Sequence, residues 1–387
     1  MADYCQPDNL VYLDHAALSP LLPELERQTP VQALASSLNP HAGNHFSEQV
    51  LSAIREGERK LLARLGTSEF ESELLWTSGG TEANNLAVLG CLRTLPKPLS
   101  IIDGTAHKAL LEPARAHAGA EGRCIETMAD REGQLRWSEV EGADADTAAL
   151  VGVCHVNNET GAMQDLVKLR AWLDRRAPNA VLMVDAMQSF GKMKIPWTEA
   201  RIDLLSIGGR KIGGPPQVGA LIVRRGTPLQ PLMFGGGQQR GYRPGTLDAG
   251  GILGFLRAAD QVCEGQDEHW RHIRNLNLWL RRQIQEDWDG PVPTIVSPSS
   301  GSPYILCLAF TGFEGAILVR ALARQRVIVG SGSACSSESA AVSHVLLAMG
   351  MDQRTGRGQL RVSFSPQTSQ EEVAIFVRKL RQALEDY

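Results

Sequence analysis

The chain has 387 residues, long enough for two or three domains, and its formal net charge at pH 7 is −4. Hydrophobic residues make up 43% and charged residues 21%, so the chain can bury a sizeable core and is not a disordered polymer. A mildly acidic chain without a basic run or a nucleic-acid motif is not expected to bind nucleic acid.

Neither a membrane segment nor an export signal is expected. The longest apolar runs, such as 148–154, are much shorter than the roughly 18–20 residues that span a bilayer. The N-terminus has no basic residue and no apolar segment of the signal-peptide type. The seven cysteines are an odd number without a C-x-x-C pair, which argues against a disulfide framework and a zinc site. We therefore predict a cytoplasmic protein without a metal site.

Short apolar runs alternate with helical patterns between about residues 50 and 225. Several runs are apolar nearly throughout, which is typical of strands that are covered on both faces. The alternation predicts an α/β doubly wound domain with a mostly parallel sheet. The predicted strands are 74–77, 99–102, 149–155, 181–185, 204–207 and 220–223, and the predicted helices include 83–92, 107–117 and 164–176.

A loop rich in Gly, Gln and Arg ends this alternation at residues 230–251. The elements predicted after it are a long helical pattern over 252–288, strand-like runs at 304–310 and 327–330, and a C-terminal helix over 369–384. We predict a large domain over 15–255 and a smaller α+β domain over 256–387, to which the N-terminal segment 1–14 is joined.

Three segments at predicted strand ends carry residues suited to a cofactor. In T-S-G-G-T-E, Gly80 and Thr81 open a helix whose free N–H groups favour a phosphate, although an ordinary strand–helix turn is the alternative. Asp185 ends an apolar strand, where a buried carboxylate needs a partner such as a protonated ring nitrogen, unless it is a helix cap. Lys211, in G-G-R-K, follows another strand and could form a Schiff base, whereas a solvated turn is the alternative.

Three further residues are candidates on weaker grounds. His107 opens a helix after a strand, where an imidazole could stack on a planar cofactor. Cys335 lies in G-S-G-S-A-C-S-S, and such small residues favour an exposed, reactive thiol over a core cysteine. Arg361 could bind a carboxylate through two N–H groups, although a surface arginine is the common case. None of these signals decides alone, but their order along the chain is informative.

That order resembles the cysteine desulfurases of the NifS/IscS-like class, within the class V aminotransferases that use pyridoxal 5′-phosphate. The motifs that carry the resemblance are T-S-G-G-T-E-A-N-N-L, C-H-V-N-N-E-T-G, V-D-A-M-Q-S-F-G-K, R-K-I-G-G-P-P-Q-V-G-A-L, G-G-G-Q-Q-R-G-Y-R-P-G-T and G-S-G-S-A-C-S-S. It implies the aspartate-aminotransferase-like fold (pyridoxal-phosphate fold type I), with a mostly parallel seven-stranded sheet in the large domain.

The resemblance also implies a role for each candidate residue. Lys211 forms the Schiff base with the cofactor, Asp185 pairs with its ring nitrogen, and His107 stacks on its ring. The other implied cofactor contacts are Gly80, Thr81, Asn158, Gln188 and, from the partner subunit of a homodimer, Thr246. Arg361 binds the substrate carboxylate with Asn39 beside it, and Cys335 is the nucleophile that receives the sulfur.

The implied reaction converts L-cysteine to L-alanine and leaves the sulfur on Cys335 as a persulfide. An acceptor protein then takes the sulfur for iron–sulfur clusters, another thio-cofactor or tRNA thiolation. Two alternatives are a selenocysteine lyase or other C–S lyase on the same cofactor, and a catalytically weakened regulatory or scaffold homologue. Gly208 and Arg210 stand where the family usually has a serine and a histidine that contact the cofactor phosphate. We predict that Arg210 takes over this contact.

Overall fold

A computed structural model of the chain describes residues 10–96, 98–120, 122–140, 145–286, 288, 290–332 and 342–387. Within these ranges no helix is long and apolar enough to cross a membrane. The same ranges contain no group of three or more His, Cys, Asp or Glu side chains that could hold a metal ion.

A seven-stranded sheet forms the centre of the larger unit. Its strands, numbered in chain order and given in spatial order, are β2 (Ser72–Thr77), β8 (Gly219–Arg224), β7 (Leu204–Gly208), β6 (Val181–Asp185), β5 (Ala148–Cys154), β3 (Leu99–Asp103) and β4 (Arg123–Thr127). β8 is antiparallel to both neighbours, and every other pair is parallel. The predicted mostly parallel sheet of seven strands is confirmed.

Helices cover both faces of this sheet. They are α1 (Pro30–Ala35), α2 (His45–Arg64), α3 (Gly80–Leu92), α4 (Lys108–Ala120), α5 (Leu166–Arg176) and α6 (Ala249–Glu264), with 3₁₀ turns at Pro23–Leu25, Trp137–Val140, Ala145–Thr147, Gly209–Lys211 and Gln238–Gly241. One core cluster contains residues of α3 and α4, and another contains residues of α2, α5 and α6. Because both faces are covered, β5, β6 and β7 are buried along their whole length and are apolar at almost every position.

A second, smaller unit is built on a three-stranded antiparallel sheet. Its elements are α7 (Gln266–Gln285), β9 (Thr294–Ile295), β10 (Ile305–Ala309), α8 (Gly315–Arg324), β11 (Val327–Ile328), α9 (His344–Ala348), α10 (Gln353–Gly356), β12 (Gln359–Ser363) and α11 (Gln370–Glu385). In the three-stranded sheet, β10 lies between β9 and β12. The N-terminal strand β1 (Val11–Tyr12) pairs in parallel with β11, and Leu13 is buried in the core of this unit.

The chain leaves the core of the larger unit and enters the core of the smaller unit after the predicted boundary at 255/256. The long helical pattern is two helices, because α6 ends at Glu264, Gly265 caps it, and α7 begins at Gln266. Leu256 and Val262 of α6 belong to the same core as the large sheet, whereas Ile273 and Leu280 of α7 belong to the core of the smaller unit. The boundary at 255/256 therefore falls inside a continuous helix.

Candidate active site

The carboxyl ends of the parallel strands, the start of α3 and strand β12 meet at a cavity of about 350 Å³. Such strand ends are where open α/β sheets bind ligands. Nine of the predicted site residues line the cavity: Gly80, Thr81, His107, Asn158, Asp185, Gln188, Arg210, Lys211 and Arg361. Thr246 and Asn39 are exposed and do not line it, and Cys335 lies outside the described residues.

Lys211 ends the short 3₁₀ turn that follows β7. Its ammonium Nζ donates hydrogen bonds to the backbone carbonyls of Ala16 (2.8 Å) and Ala17 (2.6 Å). Burial, together with the guanidinium groups of Arg361 and Arg210, lowers the pKa of Lys211 from 10.5 to about 8. A sizeable fraction of the amine is therefore neutral near physiological pH, which is the form that attacks an aldehyde.

Asp185 ends strand β6 and is only 4% exposed. One carboxylate oxygen accepts a hydrogen bond from Asn84 Nδ2 (2.7 Å), and the other accepts one from the backbone N–H of Met187 (2.9 Å). Ser206 Oγ donates to Asn84 Oδ1 (2.5 Å), which fixes the orientation of that amide. No lysine or arginine of the described ranges lies within ion-pair distance of Asp185, so this buried carboxyl group faces the cavity without a direct ion-pair partner.

The start of α3 offers backbone N–H groups to an anion. Gly79 has φ +143°, a region that L side chains rarely adopt, and it makes no side-chain cap to the helix. The turn is also tightly packed, since a Cβ on Gly219 of β8 would lie 2.7 Å from the Cα of Gly79. The N–H groups at Gly80 and Thr81 therefore form a helix terminus of the kind that binds phosphate.

Arg210 lies on the wall of the same cavity and is exposed. Its guanidinium forms no ion pair with a described residue, so the group is free to approach an anion at the start of α3. This placement agrees with the predicted phosphate contact of Arg210, which stays a prediction.

The Met187 side chain occupies the space that a side chain at position 208 would need, which explains the glycine there. A Cβ on Gly208 would lie 2.8 Å from Met187 Sδ, and a Cβ on Gly80 would lie 2.7 Å from Met187 Cε. The thioether thus fills the space between the end of β7 and the start of α3. A serine at position 208 would fit only if the Met187 side chain moved.

Two histidines line the cavity beside these groups. His107 Nδ1 accepts a hydrogen bond from the backbone N–H of Ala109 (3.0 Å), which assigns the proton of the neutral ring to Nε2. Desolvation lowers the pKa of His107, favouring a neutral ring. His344 Nε2 donates to the carbonyl of Ala106 (2.9 Å); this residue of α9 was not singled out from the sequence.

Arg361 reaches the cavity from β12 and is 2% exposed. Its Nη2 donates to Asp14 Oδ1 (2.8 Å), and its Nη1 donates to the carbonyl of Asn158 (2.9 Å). The buried Nε has no partner among the described residues. Because Arg361 also lines the cavity, its guanidinium is placed to bind a substrate carboxylate. Asp14, which holds Arg361, was missed because the two are 347 positions apart in the sequence.

The residues present fit pyridoxal 5′-phosphate. The uncompensated Asp185 carboxylate suits a protonated ring nitrogen, the Lys211 amine suits the aldehyde, and the helix terminus at Gly80 suits the phosphate. Sequence reasoning missed Asn84, which positions Asp185, although it lies inside a motif that was singled out.

Comparison with known proteins identifies the family. The aminotransferase class-V family model matches residues 11–376. The chain belongs to the aminotransferase class-V family. It is 33% identical to the cysteine desulfurase IscS of Salmonella paratyphi B, over 97% of this chain and 92% of that protein.

Two solved structures resemble the chain. A NifS-like protein has a TM-score of 0.89 and 26% identity, with 98% of this chain and 100% of that chain covered. The structure named SspA in complex with cysteine has a TM-score of 0.76 and 27% identity, with 92% and 99% covered. The resemblance inferred from the sequence, the fold type and the dependence on pyridoxal 5′-phosphate are confirmed.

Proposed function

We propose that this protein is a pyridoxal-phosphate-dependent cysteine desulfurase, which converts L-cysteine to L-alanine and transfers the sulfur to Cys335 as a persulfide. The observation that carries the proposal is that Lys211, Asp185 and Arg361 meet in one cavity. An amine, a buried carboxylate and a guanidinium are the charges needed to hold this cofactor and an α-amino acid together. The relative with 33% identity is named a cysteine desulfurase, and a structural relative was solved with cysteine.

Each residue has a defined task in this reaction. The cofactor, when bound, supplies an electron sink for the bond cleavage at the substrate. Arg361 orients the substrate through its carboxylate, and the neutral Lys211 amine removes the proton from Cα. The Cys335 thiol forms an S–S bond as the substrate Cβ–S bond breaks, and Cβ gains a hydrogen. Cysteine plus a protein thiol thus gives alanine plus a protein persulfide, and no external oxidant or reductant is needed.

The proposed active form is a homodimer in which the partner subunit's Thr246 completes the phosphate site. In its own chain Thr246 is exposed and lies away from the cavity lining. The same loop exposes two large apolar side chains, Phe234 (87%) and Met233 (45%), which favours burial against a second copy of the chain. Asn39, also exposed, stays a predicted substrate contact, and an acceptor protein takes the sulfur from Cys335.

A product assay with the purified holoenzyme tests the proposal. With L-cysteine and a thiol reductant, the protein should release alanine and sulfide in equal amounts. Cys335→Ser should keep the bound cofactor and the change of its spectrum with cysteine, but lose sulfide release. The matched control is Cys124→Ser, which replaces a partly exposed cysteine of edge strand β4.

Other outcomes assign the protein to a different class. Undiminished sulfide release by Cys335→Ser would make it a plain C–S lyase, and a strong preference for selenocysteine in that variant would make it a selenocysteine lyase. A protein that binds no cofactor would be a scaffold homologue. Retention of cofactor with loss of sulfide release only in Cys335→Ser supports the desulfurase.

A further inference from the structure

A second cavity, which we call the rear cavity, is lined in part by Lys211, as the cofactor cavity is. Its volume is about 180 Å³, and its walls include Lys192, Lys211, His15, Tyr304 and His269. Among the described residues, Lys211 alone lines both cavities. The rear cavity therefore touches the reactive amine without being part of the cofactor site.

Lys192 is the main unexplained group of the rear cavity. It is 8% exposed, and its ammonium donates a hydrogen bond to Gln188 Oε1 (2.9 Å) and lies 5.5 Å from the centre of the Tyr304 ring. It has no ion pair with any residue that the structure describes. Burial, with the nearby cations Lys211 and Arg361, lowers the pKa of Lys192 to about 7. A buried ammonium without a counter-charge is costly unless an anion joins it.

The walls of the rear cavity carry positive charge and no carboxylate. Within the described ranges, no Asp or Glu lines it, whereas two lysines do. The Tyr304 hydroxyl is buried without a partner among described residues, and so is His269 Nδ1. His15 is held by Ser19 Oγ (3.2 Å) and the Tyr12 carbonyl (3.2 Å), and burial lowers the pKa of His15 to about 4, so it stays neutral. This is the charge pattern of an anion site.

We propose that the rear cavity binds a small inorganic anion, such as chloride or bromide, between Lys192 and Tyr304. The ammonium supplies the charge, and the Tyr304 hydroxyl is a further donor that otherwise lacks a partner. The proposal does not depend on the desulfurase reaction, because among the described residues the rear cavity shares only Lys211 with the cofactor cavity.

The rear cavity is also connected to the reactive amine by hydrogen bonds. Lys192 donates to Gln188 Oε1, and Gln188 Nε2 donates to the Ala16 carbonyl (2.8 Å), which also accepts from Lys211. Because an ammonium only donates and a carbonyl only accepts, the Gln188 amide has one orientation. An anion beside Lys192 would thus hold in place the side chain that is predicted to contact the cofactor.

Thermal unfolding of the holoenzyme tests the site in solution. At equal ionic strength, replacing gluconate by bromide should raise the unfolding midpoint of the wild type by about 1–2 °C through ligand binding. Lys192→Met should lose this increment. The variant is expected to fold, because a methionine of similar length removes an uncompensated buried charge. The control Lys194→Met removes an exposed lysine that pairs with Glu199 and should keep the full bromide increment.

Two further measurements locate the anion. Crystals of the holoenzyme soaked in bromide should show an anomalous peak in the rear cavity. Tyr304→Phe removes only the hydroxyl and should reduce the bromide increment while cofactor binding stays intact. The proposal is overturned if Lys192→Met responds to bromide as the wild type does, or if the rear cavity shows no anomalous peak. These results are independent of sulfide release, so they do not bear on the proposed desulfurase activity.

Discussion

Lys211 is held as a reactive amine by the charges around it rather than by a base. Its amine donates hydrogen bonds to two backbone carbonyls. Its pKa is lowered by burial and by the positive charges of Arg361 and Arg210. The neutral form should therefore appear well below the pH expected for an ordinary lysine.

The pH dependence of cofactor capture by the apo-protein follows from this pKa. Below pH 8 Lys211 is mostly protonated, so the rate of Schiff-base formation should rise about tenfold per pH unit and level off above about 8. Stopped-flow absorbance with added pyridoxal 5′-phosphate measures the midpoint. Arg210→Ala should shift this midpoint upward, because one of the depressing cations is removed. A midpoint near 10.5, the ordinary lysine value, would contradict the assignment.

Arg210 itself should contribute to cofactor affinity. A guanidinium offers several donors in a planar fork that suits a phosphate, and the side chain lies on the cavity wall. Arg210→Ala should weaken cofactor binding by about tenfold to a hundredfold, the range for a hydrogen bond to a charged group. Arg210→Lys is the matched control, because it keeps the charge and should recover part of the affinity. Titration of the apo-protein with pyridoxal 5′-phosphate measures this affinity. An unchanged affinity in Arg210→Ala would show that the arginine serves only as a surface cation.

At the scale of elements, prediction from sequence succeeded for β3, β5, β6 and β7, which are buried along their whole length. It missed β12, which is equally buried but alternates polar with apolar residues. The run 181–185, apolar up to Asp185, gives the observed bounds of β6, because a strand covered on both faces is apolar at almost every position. Edge strand β4 was missed, since its residues are largely polar and partly exposed. The helical pattern over 252–288 did not reveal the break at Gly265, because the helices on both sides of this glycine are amphipathic.

The residues of the functional site, too, could be predicted from the sequence only in part. Residues that end predicted strands, such as Asp185 and Lys211, could be placed because parallel strands bring their carboxyl ends together. Asp14 and His344 could not, since their contacts with Arg361 and Ala106 join segments 347 and 238 positions apart. Such contacts depend on how the two units pack, which periodicity does not show.

The N-terminal segment after β1 is an element of the site, because it supplies Asp14 to Arg361. Asp14→Asn keeps the shape but removes the charge beside a guanidinium whose side chain is 3% exposed. Stability should fall by about 1–3 kcal/mol, less than for a fully buried pair because asparagine still accepts a hydrogen bond. Thermal or urea unfolding measures this. Glu56→Gln, in an exposed pair with Lys60, is the control and should leave stability unchanged. Equal stability of Asp14→Asn and wild type would mean that the Asp14–Arg361 ion pair does not contribute to the free energy of unfolding.

At the scale of the whole molecule, the cavity is assembled from both units of the fold. The sheet of the larger unit supplies Asp185 and Lys211, whereas β12 of the smaller unit supplies Arg361. The relative position of the two units therefore sets the distance between the amine and the substrate carboxylate. Thr246, which is exposed, is predicted to add a third contribution from a second copy of the chain.

Hybrid dimers test whether the sites are shared. One chain carries Lys211→Ala and cannot form the Schiff base, and the other carries Thr246→Val and lacks the hydroxyl for the phosphate. If Thr246 serves the partner's site, the site built on the Thr246→Val chain has an intact lysine and receives an intact threonine from the Lys211→Ala chain. That site should bind pyridoxal 5′-phosphate with wild-type affinity, whereas the Thr246→Val homodimer should bind it about tenfold or more weakly.

The readout is cofactor fixed by borohydride at a concentration where the Thr246→Val homodimer is mostly empty. The hybrid should then retain one cofactor per dimer, as should a control hybrid of wild-type and Lys211→Ala chains. If Thr246 acted within its own chain, the only lysine-bearing site of the test hybrid would also lack its hydroxyl, and the hybrid would be as empty as the Thr246→Val homodimer. A hybrid that matches that homodimer, or a monomer in sedimentation with full cofactor affinity, would therefore reject the shared site. The control hybrid shows that a Lys211→Ala chain in the dimer does not by itself empty the site of its partner.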